Sequence, residues 1–215
     1  TKLIEDYIKE EKQVLYLLPE IALTTQLVSR LTQYFGNKVA VFHSKYNNNE
    51  RVEVWQNVLQ NSEKAQIVIG ARSALFLPFS NLGLIIVDEE HEATFKQYDP
   101  APRYHARDSA IVLANSHQAK VLLGSATPSI ETYYNATSGK FGLVTLTERF
   151  GNVQMPDIEL VDLKDSYFRK KMKGHFSLTL IEQITEAFSN GEQVILFQNR
   201  RGFSPVIECL TCGHV

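Results

Sequence analysis

Two periods of apolar positions alternate along the chain. Leu3, Ile4, Tyr7 and Ile8 recur at helical spacing, whereas residues 14–18 form an unbroken apolar run closed by Pro19, the pattern of a strand buried on both faces. Ile21, Leu23, Leu27, Val28 and Leu31 return to helical spacing, and Gly36-Asn37 supplies a stop. Residues 39–42 predict a strand. Asn47-Asn48-Asn49 predicts a cap before an amphipathic helix over 51–59, with Trp55 on its core side. Further strands are expected at 67–69, 82–87 and 121–123, with a helix over 107–115 between the last two.

This alternation predicts an α/β fold, a mainly parallel sheet flanked by helices. In such sheets ligands gather at the carboxyl ends of the strands, so the polar residues there carry the candidate chemistry. A polar stretch without periodicity follows. It predicts a first domain over 1–147, a linker over 148–155 and the start of a second domain over 156–215. In that second part, 158–161 and 194–197 read as strands, 164–175 as a polar, basic loop and 178–188 as a helix.

Composition narrows the function classes. The chain has 215 residues, 44% hydrophobic and 21% charged, which excludes wholesale disorder. Lys plus Arg is 22 against Asp plus Glu 24, so any contact with nucleic acid must come from local patches. The apolar runs are too short to cross a bilayer, and the first residues lack a signal-peptide layout. The two cysteines, Cys209 and Cys212, are clustered near one end, which is no disulfide framework and suits a reducing, cytoplasmic setting. Both ends read as cut, so a fragment of a longer protein is expected.

The sharpest signal is the run Leu-Gly-Leu-Ile-Ile-Val-Asp-Glu-Glu-His at 82–91. A buried strand delivers adjacent acids at its tip, where they repel unless a divalent cation intervenes. The competing reading makes Asp88 a helix cap followed by an acidic first turn. One unit later, residues 121–129 place Ser125, Ala126 and Thr127 after another buried strand, where Ser125 or Thr127 is the expected helix cap with Pro128 in the first turn.

Several motifs occur together and in order. They are Leu18-Pro19-Glu20-Ile21-Ala22-Leu23-Thr24, Phe42-His43-Ser44, and the stretch from Gly70-Ala71-Arg72-Ser73 to Phe79. Downstream lie Asp88-Glu89-Glu90-His91, Phe95-Lys96-Gln97, Arg103-Tyr104-His105-Ala106-Arg107-Asp108, Gly124-Ser125-Ala126-Thr127-Pro128-Ser129, Asn199-Arg200-Arg201-Gly202-Phe203 and the cysteine pair. Across nearly the whole chain they resemble the superfamily 2, DEAH-like ATPase core of the bacterial primosomal protein N′ family of replication-restart helicases.

The resemblance implies a RecA-like lobe and the opening of a second one. It implies an ATP-dependent helicase acting on single-stranded and forked DNA, with other primosome proteins and single-strand-binding proteins as partners, in the bacterial cytoplasm at replication forks. Asp88 would hold Mg2+, Glu89 would act as base on the hydrolytic water, and Glu90 and His91 would complete the motif. His91 would couple the nucleotide site to Ser125, Ala126 and Thr127. Pro19, Glu20, Thr24, Arg72 and Ser73 would face DNA; for Arg72 a structural ion pair is the competing role.

The stretch 95–107 would be the aromatic-rich loop that senses DNA. Phe95, Tyr98, Tyr104 and His105 alternate there with Lys96, Arg103 and Arg107, and rings stack unpaired bases while cations follow phosphates. Packing of Phe95 or Tyr104 onto the core is the alternative. The cations at 164–173 read as a solvated loop rather than a DNA contact.

Cys209 and Cys212 have zinc-knuckle spacing, and the resemblance implies further cysteines completing Zn2+ sites beyond the present chain. Alone they are half a tetrahedral site. No Gly-x-x-x-x-Gly-Lys-Ser/Thr loop occurs in the 215 residues, so the chain by itself is expected to lack ATPase activity. Two other classes remain at this stage: a metal-dependent nuclease on Asp88, Glu89 and Glu90, and a non-catalytic single-stranded-DNA-binding module.

Overall fold

The computed structural model describes residues 1–19, 25–43, 46–148, 151 and 156–197. It divides into two compact units, Thr1–Thr145 and Leu146–Val215.

In the first unit the unbroken apolar runs become five parallel strands: β1 Gln13–Leu17, β2 Val39–Phe42, β3 Ile67–Gly70, β4 Leu82–Asp88 and β5 Lys120–Gly124. They lie in the order β2-β3-β1-β4-β5, with Leu17 opposite Gly70 on one side and Val87 on the other. Successive side chains alternate between two cores. Leu15, Leu17, Ile85 and Val87 face one side, with Ala106, Ala110 and Ala114 of α4 (Ala106–His117) and Val58 of α3 (Asn48–Leu59). Val14, Leu18, Leu84 and Ile86 face the other, with Ile4 and Ile8 of α1 (Lys2–Lys9) and Leu31 of α2 (Thr25–Phe35). Three layers result, helices on both faces of the sheet.

Local signals set the boundaries. Gly36, at φ +63, ends α2 in a conformation that costs glycine little. Asn47 accepts from the Glu50 amide while Glu50 accepts from the Asn47 amide, a reciprocal cap that starts α3. Trp55, expected in the core, is instead exposed, because α3 buries only Val58 fully. A Cβ on Gly70 would lie 2.5 Å from the Ala74 Cβ and 2.8 Å from the Phe42 carbonyl oxygen, so only glycine lets the 3-10 turn Arg72–Phe76 fold back onto β3. The cap of α5 (Ile130–Thr137) is Ser129, not Ser125 or Thr127, and Pro128 therefore precedes the helix.

The second unit differs more from the sequence reading. Residues 164–175, expected as loop, contain most of α6 (Leu163–Phe168) and all of β6 (Met172–Lys173). β6 turns at Gly174 into an antiparallel partner, β7 (Phe176–Ser177), whose Ser177 caps α7 (Leu178–Ser189). The expected strands at 158–161 and 194–197 do not form: Leu160 and Ile195 are 92% and 93% exposed, with no neighbouring strand among the described residues.

Candidate functional site

Asp88 is the last residue of β4 and stands opposite Gly124 at the end of β5. Its Oδ2 accepts from the Tyr16 hydroxyl of β1 at 2.9 Å, and its Oδ1 accepts from the Glu89 amide at 3.1 Å. Burial, then the Asp88 charge and hydrogen bond, push the Tyr16 phenol well above its ordinary pKa, so it remains a donor. Tyr16 was missed by sequence reasoning; the available signal was one hydroxyl inside an otherwise apolar strand.

The next three residues diverge. Glu89 has φ +50, the left-handed region that costs a residue with a Cβ about 1–2 kcal/mol. Its side chain is 47% exposed, with Oε2 3.6 Å from His91 Nδ1. His91 Nδ1 lies 2.7 Å from Ser125 Oγ and Nε2 lies 3.3 Å from Thr127 Oγ1, while the Thr127 amide donates to Ser125 Oγ at 3.0 Å. The structure thus brings His91 against the two hydroxyls of the 125–127 segment; Ala126 is exposed beside them.

Glu90 turns the opposite way and is 1% exposed. Its Oε1 accepts from the Ser129 amide at 2.7 Å. Its Oε2 accepts from Arg107 Nη1 at 3.0 Å, the Thr132 hydroxyl at 2.8 Å and the Ser129 hydroxyl at 3.2 Å. Burial opposes the Glu90 charge, but the Ser129 amide, the Thr132 hydroxyl and Arg107 together hold its carboxyl below the ordinary carboxylate range. Its amide donates to the Gly124 carbonyl at 3.0 Å.

Two expected DNA contacts are buried here. Arg107 is held inside the lobe, its Nη1 on Glu90 and Ser129 and its Nε on Asp108 at 2.8 Å. Phe95 is fully buried in the core and offers no face to a base. Charge and ring counts along the sequence could not show which way these two side chains turn.

The rest of the loop is pinned at its base and open at its tip. Arg72 Nη1 donates to the Lys96 carbonyl at 2.9 Å, Lys96 Nζ donates to the Arg103 carbonyl at 3.0 Å, and the Lys96 and His105 backbones bridge. Tyr104 is half-buried, its ring meeting Phe76 edge-on at 5.1 Å. Ser73, Phe76, Tyr98 and Arg103 remain exposed around it. Pro19 is buried, which its expected DNA-facing role did not anticipate. Glu20, Thr24, Cys209 and Cys212 lie outside the described residues.

Asp88 fits a magnesium ion. It is a partly exposed carboxylate at a strand tip, and a Cβ on Gly124 would sit 3.6 Å from its Oδ1, so the glycine leaves that oxygen approachable. Mg2+ is commonly held by one or two carboxylates together with phosphates and water. Among the described residues no cluster of three or more His, Cys, Asp or Glu forms a metal site of its own. No described helix is long and apolar enough to cross a membrane.

Residues 2–136 match the model of the DEAD/DEAH box helicase family. The chain belongs to that family. Its parallel sheet and flanking helices are accordingly a RecA-like helicase lobe. Over 212 residues, 99% of this chain, it is 46% identical to the Replication restart protein PriA of Rickettsia felis and covers 32% of that protein. Over the same length it is 42% identical to the Replication restart protein PriA of Bacillus subtilis and 45% identical to that of Haemophilus influenzae, covering 26% and 28% of them. The chain thus spans no more than about a third of the length of these helicase relatives.

Proposed function

We propose that the chain is part of an ATP-dependent DNA helicase that unwinds DNA at stalled replication forks and initiates primosome assembly. The observation that carries the reading is the mouth at the end of β4: Asp88 fixed by Tyr16, Glu89 exposed beside it, and His91 bridging to Ser125 and Thr127. Asp88 would hold the cation of Mg-ATP, and Glu89 would take the proton of the attacking water. When bound, Mg2+ supplies charge neutralisation at the phosphates. His91 links the state of that mouth to the 125–127 segment, while Glu90 completes the motif from behind by holding the backbone.

Single-stranded DNA runs past Arg72, Ser73, Lys96, Arg103 and Tyr104, and Glu20 and Thr24 belong to the same proposed set of DNA contacts. The partners are forked DNA, other primosome proteins and single-strand-binding proteins, at replication forks of the bacterial nucleoid. Cys209 and Cys212 would contribute half of a Zn2+ site that further cysteines of the parent would complete.

A nuclease would need Glu90 to share a metal with Asp88 and Glu89, and its carboxylate is already engaged by Arg107, Ser129 and Thr132. The test is ATP turnover by the full-length parent. Glu89→Gln is expected to lower kcat by about a hundredfold or more, the size of a lost general base. Unchanged turnover in Glu89→Gln would overturn the reading. The 215-residue chain, without a phosphate-binding loop motif in its sequence, is expected to show no turnover, and DNA-stimulated hydrolysis by it would refute that part.

A further inference from the structure

We propose that Arg107 is a positioning residue for Glu89. It fastens the end of the 96–105 loop to Glu90, and Glu90 holds its neighbour in the left-handed conformation the site needs. The proposal rests on Glu89 serving hydrolysis.

A residue with a Cβ persists in that region only where its surroundings over-determine it. Glu89 is flanked by two fixed residues. On one side Asp88 is tied to Tyr16 and to the Glu89 amide; on the other Glu90 is tied through its amide to Gly124 and through its carboxylate to Arg107, Ser129 and Thr132. Of the side-chain donors to Glu90, only Arg107 carries a charge, and it stands directly after the loop, at the start of α4. Asp108 and Glu90 more than offset the burial that opposes the Arg107 charge, so the tie stays ionic.

The contacts run without a gap from the loop inward. Arg72 holds the Lys96 carbonyl, the Lys96 backbone bridges His105, and two residues on Arg107 grips Glu90. A polyanion that shifts the loop therefore loads Arg107, and through Glu90 the backbone of Glu89. Arg107 itself is 8% exposed, with its Nε on Asp108 and its Nη1 on Glu90 and Ser129.

The experiment compares Arg107→Gln, Arg107→Lys and the double variant Glu90→Gln/Arg107→Gln in the full-length parent. Readouts are ATP kcat and KM with saturating oligodeoxythymidylate, Kd for that strand by fluorescence anisotropy, and Tm. Arg107→Gln is expected to lower kcat by about tenfold or more, the scale of a small misplacement of a reacting group, with KM and Kd within about twofold. Arg107→Lys, which keeps the charge without the fork, falls between. The double variant removes both charges and is expected to recover Tm but not kcat, a split that a purely structural ion pair would not give.

Recovery of both, or normal kcat in Arg107→Gln, overturns the proposal, as does a weakened Kd with kcat intact. A parent with no ATP turnover overturns the hydrolysis reading along with it. A parent with turnover and a normal Arg107→Gln overturns this link alone.

Discussion

Glu89 and Glu90 leave the same strand tip and meet opposite surroundings. Glu89 is half in solvent, backbone-strained and 3.6 Å from a histidine nitrogen; Glu90 is 1% exposed and receives hydrogen bonds from Ser129, Thr132 and Arg107. Identical side chains therefore have different physical tasks. One keeps its carboxylate accessible at a cost to the backbone, and the other spends its carboxylate on hydrogen bonds inside the fold. The loop that follows repeats the division: Phe95 and Arg107 at its two ends are buried, while Tyr98 and Arg103 at its tip are exposed.

The contrast can be broken most strongly at Glu90. Glu90→Ala is expected to cost about 3–5 kcal/mol by stranding a buried guanidinium, nearer the low end because Asp108 still pairs with it. Glu89→Ala should change stability by no more than about 0.5 kcal/mol, as an exposed position does. Urea unfolding of the two variants checks this, and equal losses would erase the distinction. In the loop, Phe95→Ala should cost about 3–5 kcal/mol through a core cavity. Tyr98→Ala should instead spare stability and weaken single-strand binding by about 1–3 kcal/mol, the worth of one stacked base. Parallel melting and anisotropy measurements separate the two.

These pairs also mark how far the sequence is legible. Strands β1 to β5 were readable because each is an apolar run; β1, β3 and β4 are buried on both faces, and the edge strands β2 and β5 only in part. The same signal failed at 158–161 and 194–197, where apolar residues have no strand beside them among the described residues; an apolar run gives a face, but pairing makes the strand. Asp88, Glu89 and His91 could be found because spacing along the chain places them at one tip. The fate of Glu90 and Arg107 depended on a contact between residues 17 apart, which neither charge count nor periodicity encodes. Gln13 is a similar case. It is fully buried and satisfied by Val58, Ser80 and Asn81, none of them near it in sequence.

A smaller effect sharpens the cost side of the comparison. Glu89→Gly should stabilise the fold by up to about 1 kcal/mol, since glycine adopts the left-handed region freely, while ending hydrolysis in the parent. A loss of stability would mean that Glu89 is not strained.

The smallest effect concerns pH. Burial foremost, with Arg107 and Lys96 adding to it, pushes the His105 imidazole below its ordinary pKa, and its Nδ1 is buried without a partner. The unfolded chain therefore binds this proton first as pH falls through the ordinary histidine range, and stability declines there until the folded-state value is passed. Tm measured between neutral and mildly acidic pH should fall less steeply in His105→Gln. An unchanged slope would show that His105 is as free to titrate in the fold as outside it.

The order of the strands has a consequence for how the chain comes together during synthesis. Both neighbours of β1 come much later in the chain than β1 itself: Val14 pairs with Ile67 and with Leu84. Until β3 and β4 have been made, the nascent chain carries a bare apolar ribbon with two unpaired sides. Parallel pairings of such separation form slowly and leave sticky intermediates. Of the five strands described, the central one thus waits longest for its two neighbours, and it is the one a ribosome-bound chaperone would have most reason to cover.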